Sequence, residues 1–468
     1  MQPSKFNVQV PVADRDEVFL MNTLSDAQLL VSRDVTGLFD RVTRGESFTG
    51  DELETVETLR ENGFLVDSRE QEDADLREYF ISAREDTDQM RVTVLTTLQC
   101  NFACDYCFQG DHGDYNKTAA KMSLETAAGV VAWITKRLDE VQPKKLVLTL
   151  FGGEPLLNLP AAYYLAEHCY AACQARGVDH HVSIITNGLL LTPEVVNRLK
   201  PYGLRGVKIT LDGDRHTHNK MRPLRGGQGT FDRIIENMRQ VGPLLPLTLG
   251  GNFDEASADS YPALLDFLRE QDFADHIIKI NFKPVIKSFE QAVPKGFIPL
   301  TAVSSNGKPL NGTCMTSAGA GSTGGPCDTC HFTDDKMQFL REETRKRGFH
   351  TPDGIKMGPC EIHRRHAYTI GPEGSLYACP GFSGEAKEST GHIDGRDDSW
   401  RHAATERFER LSAHKEACGD CSFIPVCGGG CSVAAHTELG DMNHPSCHKE
   451  SMELALVSLA QRTAASLS

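Results

Sequence analysis

Between Val92 and Phe282, short apolar runs alternate with amphipathic stretches, and this alternation constrains the fold most strongly. The runs are Val92–Leu98, Leu146–Phe151, Val182–Thr186, Val207–Leu211, Leu247–Asn252 and Ile277–Phe282. Between them, Ser123–Leu138, Ala161–Gln174, Pro193–Leu199, Phe231–Val241 and Tyr261–Leu268 read as helices. Strand, helix, strand in succession argues parallel pairing, because a parallel neighbour needs a crossover connection. The pattern predicts an α/β fold, as an open sheet or a partial barrel, and periodicity alone does not choose. Such folds carry their sites at the C-terminal strand ends, so the residues following each run are the first place to look for chemistry.

The flanks divide differently. Residues 1–66 read as a small α+β module of winged-helix-like type. Its strand is at Val18–Met21, its helix at Asp51–Asn62, with Gly63 as cap and a strand at Phe64–Val66. Residues 67–90 are rich in acids and predict a solvated helical linker. The α/β region is bounded at 91–287, and a bridging segment covers 288–350. Within that segment more than half of residues 301–326 are Gly, Ser or Thr, which predicts a loop. Residues 351–450 are Cys-dense with weak apolar periodicity, as expected of a region held by metal more than by a core. Residues 451–468 close the chain, with a helix read at 450–462.

The net charge of −15 argues against nucleic acid or an anionic membrane surface as partner. No apolar run approaches the ~18 residues of a membrane span, and no signal peptide is legible at the N-terminus. The expectation is a cytoplasmic protein, in which clustered Cys read as metal or redox sites rather than disulfides.

The chain has 15 Cys, and ten of them fall into two patterns. Cys100, Cys104 and Cys107 directly follow the first strand run. Three thiolates are one short of a closed tetrahedral zinc site, and on a four-iron cubane they would leave one iron open. A zinc site completed by a remote ligand is the other reading of the spacing. The second strand run ends in Gly152-Gly153-Glu154-Pro155, a turn whose backbone and carboxylate can grip a ligand ammonium group. The second Cys pattern comprises Cys360, Cys379, Cys418, Cys421, Cys427, Cys431 and Cys447. A pair of zinc knuckles is its bland reading. Cys169 and Cys173 lie four apart on a predicted helix and read as core residues.

The first pattern, with the aromatic Tyr106 before its last Cys, together with Gly152–Pro155, resembles the radical S-adenosylmethionine (radical SAM) superfamily. The second resembles the SPASM domain, an auxiliary-cluster domain of radical SAM enzymes that modify peptides and proteins. The resemblance implies a partial (β/α)6 barrel of TIM type followed by a C-terminal Fe–S domain. It also implies three [4Fe–4S] clusters and S-adenosylmethionine (SAM) as cofactors. Cys100, Cys104 and Cys107 would hold the SAM cluster. Cys360, Cys379 and Cys431 would hold an inner auxiliary cluster, with a fourth ligand from Cys314, Cys327 or Cys330, or none. Cys418, Cys421, Cys427 and Cys447 would hold the outer one. Tyr106, Gly152, Gly153, Glu154, Asn187, Thr210 and Arg222 would line the SAM site. Gly153 and Glu154 would meet the methionyl amine, Thr210 the ribose and Arg222 the carboxylate.

The activity implied is reductive cleavage of SAM to a 5′-deoxyadenosyl radical, followed by hydrogen abstraction from a ribosomally made peptide. A thioether or C–C crosslink would follow. The 1–66 module would recognise a leader peptide, and flavodoxin or ferredoxin would supply electrons. Formylglycine formation of the anaerobic sulfatase-maturase type is the alternative within the class, and a non-catalytic zinc scaffold is the alternative outside it. No general base is assignable from the sequence.

Overall fold

The computed structural model describes residues 1–107, 119–285, 302–303, 309–310, 328–352, 354–384, 386–396, 399, 405–406, 418–439 and 441–467. The expected loop at 301–326 lies almost wholly outside these residues.

The chain begins with β1 (Gln2–Pro3), β2 (Asn7–Pro11), β3 (Glu17–Asn22) and β4 (Gln28–Ser32), then helices Arg33–Thr43 and Asp51–Glu61 and β5 (Leu65–Val66). Strands β2, β3 and β4 form an antiparallel sheet, and β1 pairs with β5. The expected strand at 18–21 and helix at 51–62 are present. Strands β2 and β4 and the helix Arg33–Thr43 were not legible. Strand β3 is apolar on both faces. Val18 and Leu20 pack on Leu38, Phe39, Val56 and Leu59, whereas Phe19 and Met21 pack on Phe423, Val426 and Leu456. The leading module is therefore seated on the C-terminal region.

The stretch expected to be a solvated linker is the helix Arg69–Glu85, and it is not solvated all round. Leu76 and Phe80, one turn apart, pack with Phe6 and Ile424. Glu72 is 1 % exposed and accepts from Ser4 Oγ and from Lys5 N–H (3.0 Å), while Arg69 pairs with its other oxygen. The acids around the two apolar positions concealed this face.

The α/β region forms as read. Strands β6 (Gln89–Thr97), β7 (Lys145–Gly152), β8 (Asp179–Thr186), β9 (Leu204–Thr210), β10 (Leu247–Phe253) and β11 (Ile277–Pro284) lie parallel and in sequential order. Helices Leu124–Val141, Leu159–Gln174, Pro193–Leu199, Phe231–Val241 and Tyr261–Arg269 connect them, and the short helix Arg215–Met221 is an addition. Sequential order with crossovers of one hand puts the connecting helices on one face. The burial agrees: Leu146, Leu148, Leu150, Val182, Ile184, Val207 and Ile209 share one core with Val130, Ile134, Leu165 and Met238. Cys169 and Cys173 are fully buried there. Thr149, Ser183, Lys208 and Thr210 alternate onto the opposite face, which these helices leave open.

Beyond β11, the helix Asp328–Lys346 leads to the strand Ala367–Ile370, which pairs in parallel with β6. Strands Ser375–Tyr377 and Ser389–His392 extend the same sheet antiparallel. The closing helix spans Lys449–Ser466. Among the described residues no helix is long and apolar enough to cross a membrane.

Candidate functional site

The loop that follows β6 carries Cys100, Cys104 and Cys107, and other chain segments fix it. Ala103 N–H donates to the Pro223 carbonyl (2.9 Å) and Arg225 N–H to the Asn101 carbonyl (3.2 Å). Asn187, at the end of β8, donates from Nδ2 to Asn101 Oδ1 at 2.7 Å. From the other side, Gly153 N–H donates to the Thr97 carbonyl (2.9 Å) and Glu154 N–H to the Gln99 carbonyl (2.8 Å). A Cβ on Gly152 would stand 2.2 Å from the Thr97 oxygen, and one on Gly153 would stand 2.2 Å from the Gln99 oxygen. Two glycines are required here because two backbones touch.

Glu154 is fully buried. Its carboxylate accepts from Leu156 N–H (3.0 Å), Thr186 Oγ1 (2.8 Å) and Asn187 N–H (2.8 Å), so it clamps the ends of β7 and β8 together. Burial pushes this carboxyl upward while the donors pull it back. A carboxylate offers about four acceptor positions, so one is left open beside the three donors.

Tyr106, Asp212, Arg222 and Asn252 form a second network. Asp212 is 0 % exposed. It accepts from the Tyr106 hydroxyl, from Arg222 Nη1 (3.3 Å) and from Asn252 N–H (2.6 Å). Arg222 Nη1 also donates to the Tyr106 hydroxyl at 2.5 Å, and its guanidinium lies 5.5 Å from the Phe102 ring centroid. The resemblance assigned Arg222 to a ligand carboxylate. In the structure one side of the guanidinium is committed to Asp212, while Nε is buried with no hydrogen-bond partner. That orphaned donor fits a carboxylate. Sequence reasoning missed Asp212 and Asn252 as site residues, although Asp212 stands directly after the Thr210-Leu211 strand end.

The thiols sort into three groups. Cys100, Cys104 and Cys107 lie close enough that each negative charge would disfavour the others, and burial pushes Cys100 up to about 12 and Cys104 up to about 11. Cys427 senses Cys418, Cys447 and Cys421. Cys379 senses Cys360 and Cys431. Burial holds Cys379 and Cys427 each at about 11. Such thiols stay protonated until a cation arrives to hold the thiolate.

The interleaving of the two later groups has a local cause. Gly428, Gly429 and Gly430 all have positive φ (56°, 90° and 90°). They turn the chain so tightly on Ser446 that a Cβ on Gly430 would stand 1.8 Å from the Ser446 oxygen. That seats Cys447 beside Cys427. Cys431 instead starts toward Val433, which packs on Gly381 just past Cys379.

Cys330 falls in the first turn of the helix Asp328–Lys346, and its side chain lies outside the described residues, as do Cys314 and Cys327. Among the described residues, no three His, Cys, Asp or Glu side chains converge closely enough to hold a metal ion. The thiol groups mark positions for ligands, and their all-sulfur donor set fits iron–sulfur clusters.

A sequential parallel sheet with a three-Cys loop at its first strand end and a Gly-Gly-Glu turn at its second defines a class of enzyme. Residues 94–250 match the family described as the Radical SAM superfamily, so the chain carries a radical SAM domain and is an enzyme. It is 24% identical to the mycofactocin maturase MftC of Mycolicibacterium smegmatis over 366 residues, 72% of this chain and 76% of that one. It is 27% identical to an AdoMet-dependent heme synthase of Methanosarcina barkeri over 385 residues, 74% of this chain and 91% of that one. Another match, to a radical SAM cyclopropyl synthase, spans only 44% of that relative's length. The fold resembles that of native anSMEcpe with bound AdoMet and a peptide. The TM-score is 0.56 at 17% identity, covering 81% of this chain and 100% of that one.

Proposed function

We propose that this chain is a radical SAM peptide maturase with a SPASM-type C-terminal domain, acting in the cytoplasm on a ribosomally made precursor. The sheet would close as a partial (β/α)6 barrel. The observation that carries this reading is the sorting of ten Cys into groups of three, four and three around distinct positions. Cys100, Cys104 and Cys107 would hold the SAM-binding cluster. Cys418, Cys421, Cys427 and Cys447 would hold the outer auxiliary cluster. Cys360, Cys379 and Cys431 would hold the inner one, with Cys330, Cys327 or Cys314 available to complete it. SAM on a reduced cluster supplies the means to take hydrogen from an unactivated C–H.

The protein's own part is positioning. Glu154 offers its remaining acceptor to an ammonium group, and Arg222 Nε offers a donor to a carboxylate. The Tyr106–Asp212–Asn252 network holds Arg222 still. The auxiliary clusters would carry away the electron released by an oxidative product such as a thioether or C–C crosslink, with flavodoxin or ferredoxin as donor. The N-terminal module would bind the leader. The heme synthase relative favours a second reading, an iron-porphyrin substrate, which a visible-absorbance titration with the porphyrin tests.

Anaerobically purified protein should carry about two to three cubane equivalents of iron and sulfide per chain. Under dithionite it should convert SAM to 5′-deoxyadenosine. Cys104→Ala should abolish that conversion while keeping the iron of the C-terminal clusters. Zinc without sulfide, or undiminished cleavage in the variant, would overturn the assignment.

A further inference from the structure

The open face of the sheet carries two cations, Lys208 and Lys283, that are given no part in the site above. Strand β9 turns Lys208 and Thr210 to this face, because Val207 and Ile209 are buried under the helices. Strand β11 turns Asn281 and Lys283 to it, with Ile280 and Phe282 packed on the helical side. Between them, β10 aligns Gly250 with both Thr210 and Asn281, and Asn252 with Lys283. Gly250 makes room for the lysine. A Cβ there would stand 2.8 Å from Lys208 Cε and 3.6 Å from both Lys208 Nζ and Thr210 Oγ1.

Burial, and then the charge of Lys283, pull Lys208 down to about 8. Lys283 is also near enough to act on Cys379. Among the described residues neither Lys208 nor Lys283 has a hydrogen-bonded or ion-paired partner. Lys283 is exposed and Lys208 partly buried, so the cost of the two like charges falls on Lys208; no counter-ion meets it among the described residues, and an arriving anion removes the cost.

We propose that Lys208 and Lys283 form a carboxylate anchor on the open face, between the Thr210 strand end and Cys379, which holds an acidic group of the peptide substrate. The inference rests on the peptide reading above and adds to it the chemistry of the substrate. Charge compensation of a cluster does not account for Lys208, which acts on none of the cluster thiols whose shifts are resolved, whereas Lys283 also acts on Cys379.

The test uses the full-length, anaerobically reconstituted protein and three pools of short peptides labelled with an uncharged, carboxylate-free fluorophore. The first has a central Asp or Glu and an amidated C-terminus. The second has Asn or Gln there and is amidated, and the third has Asn or Gln with a free C-terminal carboxylate. Fluorescence anisotropy should show the first or the third pool binding at least about tenfold tighter than the second. Which of the two wins separates a side-chain carboxylate from a terminal one. The double variant Lys208→Gln/Lys283→Gln should erase the preference, and Lys208→Arg/Lys283→Arg, which keeps the charge, should retain it. Equal affinity for all three pools, or a preference that survives the double Gln substitution, overturns the anchor. The measurement needs no turnover. Wild-type protein that prefers the acidic pool yet never cleaves SAM would overturn the radical reading and leave the anchor standing.

Discussion

Lys208 shows how a single residue can be placed against its own stability. Its ammonium sits on a half-buried surface beside another lysine, and its pKa falls to about 8. The sign follows from which form the fold disfavours. Below about pH 8 the side chain is charged in both folded and unfolded chains, so the full cost of burying the charge is present. As pH rises toward the ordinary lysine value the cost fades, because the folded chain has already released the proton. Lys208→Met should therefore stabilise the protein at neutral pH by about 1–3 kcal/mol, a gain that shrinks as pH approaches 10. Denaturant unfolding at the two pH values checks this. A gain independent of pH would point to better packing instead. Functional sites often carry such a cost.

At the scale of elements, the helix Arg69–Glu85 is the instructive case. Its acids suggested a solvated connector, yet Leu76 and Phe80 fasten it to Phe6 and Ile424. Ile424 stands between Cys421 and Cys427, so this helix braces the outer thiol group. Phe80→Ala should cost about 3 kcal/mol and lower the iron retained by the C-terminal region, read by unfolding and by iron analysis after gel filtration. If iron stays full while stability falls, the helix serves the N-terminal module alone. The six strands and five helices of the α/β region were legible because each has a periodicity that its burial demands. The strands β2 and β4 were not, since β4 is exposed at both ends and half-buried between them, with no clean alternation.

For the whole molecule, the first and last parts of the chain close on each other. Phe19 and Met21 pack on Phe423 and Leu456, while the strand Ala367–Ile370 extends the central sheet beside β6. The sheet has a large hydrophobic core of its own, whereas the described residues of 418–447 include five thiols and few buried apolar side chains. An iron chelator should therefore expose 418–447 to limited proteolysis first, with β6–β11 still protected. Simultaneous cleavage in both regions would mean that the clusters hold the entire molecule together.

The sequence by itself determined the strand–helix alternation and the spacing of ten Cys, because periodicity and short-range chelation are local properties. It also located the Gly-Gly-Glu turn. Tertiary structure alone decided that Glu154 is spent on Thr186 and Asn187, and that Asp212 holds Arg222. It alone brought Lys208 and Lys283 onto one face. Each of these depends on which strands are neighbours and on where two backbones touch. Such contacts join residues far apart in the chain and leave no periodic trace in it.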